Sequence, residues 1–178
     1  MMQFTNKYKS PLGEITLASD GKSLTGVWFD GQKYFGYTLS PKTEDKQLPI
    51  FEKAKEWLDG YFGGSEPKFA LPIKIDGSAF RMAVWEILQQ IPYGQLTTYG
   101  EIAAKIAKKR GVAKISAQAV GGAVGHNPVS IVVPCHRVVG TNGSLTGFGG
   151  GIHRKIELLK LERVNMDKLF VPKNPANQ

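Results

Sequence analysis

Cysteine is nearly missing from this chain: one residue in 178, Cys135. A single thiol excludes an internal disulfide framework and a thiolate cluster for structural zinc, and it suits a reducing compartment. Long apolar runs are missing as well. No stretch approaches the roughly 18 residues of a membrane span, and residues 1–9 lack the apolar core of an export leader. The expectation is a soluble, cytoplasmic protein with no membrane partner. His126 and His153 have no ligand partners at metal spacing, so no metal and no cofactor are expected.

The first part of the chain lacks net charge. Of 23 basic and 15 acidic residues, ten of each fall within residues 1–78, so the whole excess of +8 lies beyond. Its densest cluster is Lys105, Lys108, Lys109, Arg110 and Lys114. Such asymmetry marks either a polyanion-binding half or a merely solvated basic face. With 42% hydrophobic residues, the chain can bury one good core or two small ones.

Periodicity divides the chain in two. Residues 15–18 and 24–29 are β-prone runs around Ser19-Asp20-Gly21-Lys22, a tight hairpin turn. Phe51, Ala54, Trp57, Leu58 and Tyr61 then recur at helical spacing, with Gly63-Gly64 as a stop. Pro67, Pro72 and Ile73-Lys74-Ile75 read as a connection, which puts a boundary near Asp76-Gly77. Ser78 is a candidate N-cap for a helix whose inner face carries Phe80, Val84, Ile87, Leu88 and Ile91. Thr98-Tyr99-Gly100-Glu101 fits a capping box for a second helix ending near Gly111. A third helix is expected over residues 116–124, and two helices joined by a tight basic turn suggest helix-turn-helix geometry. Residues 129–133 read as a short buried strand, residues 152–163 as a last helix, and residues 171–178 as a mobile tail. The expected domains are residues 1–77 and 78–170.

The third helix offers one long hydrogen-bonding side chain, Gln118, among Ala117, Ala119, Val120, Gly121, Gly122 and Ala123. A major-groove reader presents several. Small side chains suit either close approach to a duplex through phosphate and shape, or ordinary packing against another helix.

Cys135 ends an apolar run and is followed by His136. A thiol attacks carbon only where a base or a positive charge favours the thiolate, and otherwise serves as a small buried hydrophobe. On an extended strand the two side chains would point to opposite faces, so a bridging water or a local bend is needed. Glu162 follows Leu158 and Leu159 at helical spacing, which half-buries it. It can orient the imidazole, or it can pair with Arg163 or Lys160 at the helix end. The segment Thr146-Gly147-Phe148-Gly149-Gly150-Gly151 lacks the GxGxxG spacing and any Walker lysine.

Pro134-Cys135-His136-Arg137-Val138, with Asn127-Pro128 before it and the glycine segment and Leu158-Leu159-Lys160-Leu161-Glu162 after it, closely resembles the O6-alkylguanine-DNA alkyltransferases. Phe80-Arg81, Val84-Trp85, Ile91-Pro92-Tyr93-Gly94 and residues 98–103 also look like that family. The resemblance covers residues 79–163 and is weaker before them. It implies an α/β (α+β) chain: a ribonuclease H-like amino-terminal domain, then a mostly helical domain with a helix-turn-helix. It also implies irreversible transfer of an alkyl group from guanine O6 in double-stranded DNA to the protein, by a monomer when free. Cys135 would be the nucleophile, His136 the base acting through water, Glu162 its orienter, and Asn127 the brace of the turn. Tyr99, Val138, Phe148, Gly149 and Lys155 would surround the flipped base. Tyr99, Gly100, Gln118 and Thr141 would lie along DNA.

Two departures stand out. Gln118 occupies a position where the family commonly has an arginine that fills the gap left by the flipped base, and Phe148 replaces a frequent tyrosine. The rival readings are a damage sensor that binds lesions without repair, a helix-turn-helix transcription regulator, and a thiol hydrolase built on Cys135, His136 and Glu162.

Overall fold

The computed structural model describes residues 1–173, so most of the expected tail, residues 174–178, lies outside the described residues. Contacts divide the chain into two compact units. One joins residues 1–76 with 128–132, and the other joins 77–127 with the chain from 133 onward.

In the first unit the strands β1 (Gln3–Ser10), β2 (Gly13–Ser19), β3 (Leu24–Phe29) and β4 (Thr43–Asp45) form one sheet in the order β3-β2-β1-β4. β1, absent from the sequence reading, pairs antiparallel with β2. The β2–β3 turn is held by Asp20, whose Oδ1 accepts from the amides of Lys22 and Ser23 at 3.0 and 2.9 Å. Gly21 supplies the left-handed backbone there, with φ +106°. Helix α1 (Pro49–Phe62) buries Ile50, Phe51, Ala54, Leu58 and Tyr61. The far edge of β3 is covered in two places. The Leu24 amide donates to Pro72 O at 2.8 Å, and the Val27 amide donates to Pro128 O at 2.8 Å. Covering an edge strand in this way satisfies backbone groups that would otherwise template another chain.

Val129 is where the structure departs from the expected strand over residues 129–133. It makes a single parallel bridge to Val27, after which Ser130 and Ile131 turn the chain. Ile131 sits at φ +70°, a strained setting for a β-branched residue. Ser130 N donates to Val27 O at 3.0 Å, and the ladder ends there because Val132 N turns back onto Ser130 O at 2.8 Å.

The second unit contains α2 (Ala79–Leu88), α3 (Tyr99–Arg110), α4 (Ala117–Gly125) and α5 (Ile152–Leu161), with a two-stranded parallel sheet of β5 (Thr97–Thr98) and β6 (Val138–Val139). The caps of α2 and α3 are those the sequence suggests, and Ser116, expected inside the third helix, caps α4 instead. Ser78 Oγ accepts from Arg81 N, Ser116 Oγ from Ala119 N, and Thr98 with Glu101 closes a reciprocal capping box. Gly111 ends α3 at φ +67°. Val84, Trp85 and Leu88 pack with the buried faces of α3 and α4, and Trp85 Nε1 donates to Ala123 O at 2.8 Å. Val139, Leu145 and Leu159 form a smaller core that fixes α5.

Gly26 on β3 lies beneath the indole of Trp28, so that a Cβ there would stand 2.0 Å from the ring. Gly26→Ala is therefore expected to destabilise the protein by about 1–3 kcal/mol through overpacking, measured by urea unfolding.

Candidate active site around Cys135

Every side chain singled out above as a candidate lies in the second unit. Cys135, His136 and Arg137 form one 3-10 turn between Pro134 and β6, so the extended conformation does not persist to Cys135. The turn supplies the local bend that an extended chain lacked. Cys135 is 3% exposed and free of any disulfide.

Asn127, just past the end of α4, donates from Nδ2 to Val133 O at 2.9 Å and also hydrogen-bonds the Cys135 sulfur. Burial pushes the thiol pKa up. The Asn127 bond and the Lys155 charge act against it. The resting sulfur is therefore a thiol that needs a base.

His136 is fully buried, and its Nε2 meets Glu162 Oε2. Burial outweighs the attraction of Glu162 and pushes the imidazole pKa down, so the ring is neutral at pH 7. Glu162 behaves oppositely. Burial alone would raise its pKa, but hydrogen bonds and charge from His136 and Arg137 hold it at about 2. An ionised carboxylate only accepts, so the hydrogen of the neutral ring lies on Nε2 and the lone pair on Nδ1. Glu162 pairs with His136 and Arg137 rather than with Arg163 or Lys160, and it is almost fully buried rather than half-buried. Its Oε1 accepts from Arg137 Nε at 2.7 Å and from the Gly94 amide at 2.9 Å.

Lys155 has no exposed surface. Its Nζ donates to Val138 O and, at 2.8 Å, to Thr146 O, and it lies 5.9 Å from the centre of the Tyr99 ring. Burial brings its pKa down to about 7, against the pull of the Cys135 sulfur. Tyr99 caps the same space from the first turn of α3. Its hydroxyl donates to Thr146 O at 2.6 Å, and burial, then the Cys135 charge, raises its pKa so that the phenol stays protonated. Gly147 lies against that hydroxyl, and a Cβ there would stand 2.2 Å from it. Phe148 packs edge-on to His136 with centroids 6.4 Å apart, and Gly149 follows it in the loop leading to α5.

The remaining candidates lie outward. Gln118 is exposed on α4. Thr141 is exposed as well, with its Oγ1 3.0 Å from where a Cβ on Gly100 would sit at the start of α3. Arg137, Gly94 and the Ile91 carbonyl are the members of this network that the sequence reading did not assign. The turn Ile91-Pro92-Tyr93-Gly94 was visible, but nothing local tied it to a carboxylate 68 residues away.

Two family models match the chain. The ribonuclease-like domain of 6-O-methylguanine DNA methyltransferase matches residues 4–75, and the DNA binding domain of the same family matches residues 79–164. A methylated-DNA–protein-cysteine methyltransferase of Haemophilus influenzae is 43% identical over 159 residues, covering 88% of this chain and 84% of that protein. The inducible methylated-DNA–protein-cysteine methyltransferase of Bacillus subtilis is 38% identical over 160 residues, covering 90% and 84%. Among solved structures, Mycobacterium tuberculosis OGT in complex with DNA superposes with a TM-score of 0.77 at 39% identity, covering 95% of each chain.

The Glu162 network predicts an acid limb of stability. A depressed carboxylate contributes stability fully above its unfolded value, near 4.3, and loses it as pH falls through about 2. The neutral His136 adds to this below its unfolded value, near 6.5, where the unfolded chain takes the proton first. Glu162→Gln is expected to lose about 3–5 kcal/mol at pH 7, because it leaves Arg137 buried without its counter-charge. It is also expected to flatten the carboxylate part of that limb, read by urea unfolding from pH 7 to pH 2.

Proposed function

The chain belongs to the 6-O-methylguanine DNA methyltransferase family, and from that premise we propose that it repairs DNA by moving an alkyl group from guanine O6 to Cys135, once per molecule and irreversibly. This is the activity of a methylated-DNA–[protein]-cysteine S-methyltransferase. The observation that carries it is the buried thiol bonded by Asn127, in one turn with a neutral imidazole whose other nitrogen is held by an ionised carboxylate.

The residues take the following parts. His136 removes the Cys135 proton at Nδ1 through one water, with Glu162 stabilising the imidazolium that forms. The Lys155 ammonium favours the thiolate. The sulfur attacks the alkyl carbon, the S–C bond forms as the C–O6 bond breaks, and the electron pair passes to the guanine. Tyr99, kept protonated by burial, donates to the ring, and the Gly149 amide donates to O6. The carbonyls of Cys135 and Val138 accept from the exocyclic amine, since a carbonyl oxygen has a second lone pair beyond the one Lys155 uses. Phe148 forms the apolar wall. No step regenerates the thiol, because that would need a second nucleophile to attack the alkyl carbon and expel the cysteine thiolate, a poor leaving group from a saturated carbon.

A base inside a duplex cannot reach a sulfur that is 3% exposed, so the target must leave the stack. The start of α3, with Gly100 and Thr141 beside it, suits a backbone phosphate, because helix amides there point outward. Gln118 on α4 enters from the helix-turn-helix, with minor-groove contact dominated by phosphate and shape. The basic residues at the end of α3 add non-specific attraction. The free protein acts as a cytoplasmic monomer. A lesion sensor is the nearest rival, and the intact thiol with its base argues for transfer.

Incubation with a duplex holding one O6-methylguanine is expected to add a single methyl to Cys135, seen by intact mass and peptide mapping and absent from Cys135→Ala. Tight lesion binding without added mass would make the protein a sensor. Gln118→Arg is expected to tighten duplex binding on the order of tenfold at low salt, by adding a charge near the phosphates, with no gain at matched salt counting against the role given to Gln118.

A further inference from the structure

Arg137 is the one charged member of the buried network that the transfer chemistry leaves unused. It follows His136 in the same 3-10 turn, and the two consecutive side chains reach different oxygens of one carboxylate. The guanidinium also donates from Nη1 to Ile91 O at 2.7 Å and lies 5.7 Å from the centre of the Tyr93 ring. Gly94 in the same turn donates to the oxygen that Arg137 holds. One planar fork thus ties the Cys135–Arg137 turn, residues 91–94 and the end of α5 to a single carboxylate orientation.

We propose that Arg137 is a positioning residue for alkyl transfer: it fixes Glu162 through Oε1 so that Oε2 holds His136 Nε2 and the ring presents Nδ1 as the base for Cys135. The inference rests on the reading of Cys135 as the nucleophile. Without the fork, Glu162 retains its bond to the Gly94 amide but loses the contact that sets its rotation, and the imidazole plane follows it. Orientation at this level matters, because a misplacement of about 1 Å in a reacting group costs on the order of 100-fold in rate.

The charge of Arg137 has a second effect with a definite sign. The charged groups acting on His136 are Lys155 from α5, Glu162 at the end of that helix and Arg137 from its own turn, where Cys135 is its neighbour; Tyr93 from the 91–94 turn lies by Arg137, and Tyr99 from α3 by Lys155. Arg137 and Lys155 oppose protonation of the ring, and Glu162 favours it. Removing the Arg137 charge while Glu162 stays ionised makes the imidazolium easier to form, so the base is lost at higher pH.

The test is single-turnover methyl transfer from a duplex with one O6-methylguanine, by the full-length wild type, Arg137→Gln and Arg137→Lys, across pH and at temperatures where each is folded. Long-range proton–nitrogen spectra of His136 are recorded alongside. Arg137→Gln is expected to slow transfer on the order of 100-fold at pH 7, with the acid limb of the rate profile and the His136 titration both moved to higher pH. Arg137→Lys restores the charge but not the fork, so its acid limb returns to the wild-type position while its rate stays intermediate. A structural ion pair would lower the melting temperature and leave the limb and the His136 spectrum of Arg137→Gln unchanged, which overturns the proposal. If Arg137→Gln does not fold, Arg137→Lys decides: a wild-type rate overturns the proposal, and an intermediate rate at the wild-type limb supports it. Failure of the wild type to transfer would sink the functional reading, and the His136 titration would still judge Arg137.

Discussion

The buried carboxylate of Glu162 is the constraint on which the site depends. A charge taken out of water is tolerated only with partners, and Glu162 finds them in the His136 ring, the Arg137 guanidinium and the Gly94 amide. Two of these partners are neighbours in the Cys135–Arg137 turn, the third comes from the turn at residues 91–94, and the carboxylate itself stands at the C-terminal end of α5. The small core of Val139, Leu145 and Leu159 anchors that helix, so apolar packing sets where the charge sits and the charge sets how the imidazole points. Burial is also what makes the network informative chemically. It keeps the ring neutral, while the hydrogen bonds from His136 and Arg137 and the Arg137 charge keep the carboxylate ionised at neutral pH, a pairing that fixes the tautomer.

The same burial holds the thiol back. Cys135 is shielded from solvent and its pKa is raised, so the sulfur has little thiolate character at rest. For a protein consumed by one reaction, a quiescent nucleophile has an advantage: an exposed thiolate would be open to oxidation and to adventitious electrophiles. Asn127, by a hydrogen bond to the sulfur, and Lys155, by its charge, act against that rise in pKa. The glycines beside this space serve close approach. Gly147 leaves room for the Tyr99 hydroxyl, and Gly150 for the Phe148 ring, whose nearest atom would stand 2.6 Å from an added Cβ.

Local signals in the sequence proved sound wherever the physics was local. Capping residues Ser78, Thr98 with Glu101, and Ser116 start helices because a side-chain oxygen beside the first free amides satisfies them regardless of the rest of the chain. The Asp20-Gly21 turn is equally local. The Cys-His pair was visible as chemistry, and its resemblance to known alkyltransferases carried the functional reading. By contrast, residues 129–133 look like a strand by composition alone. They form a bridge and a strained turn, because Val27 pairs with Val129 and the left-handed backbone at Ile131 then turns the chain back on itself.

The sequence by itself determined the helices of the second unit, the hairpin of the first, the single thiol and the side on which the positive charge accumulates. These follow from spacing, caps and composition, which act over a few residues. Only the tertiary structure decided that Cys135 lies in a 3-10 turn and that Glu162 pairs with His136 and Arg137 rather than with Arg163. It also decided that Lys155 is buried against two carbonyls, and that the turn at residues 91–94 joins the Glu162 and Arg137 network. Those outcomes depend on which distant groups burial brings together. A charge removed from water takes the partners that packing places beside it, and sequence neighbours that remain in solvent cannot compete.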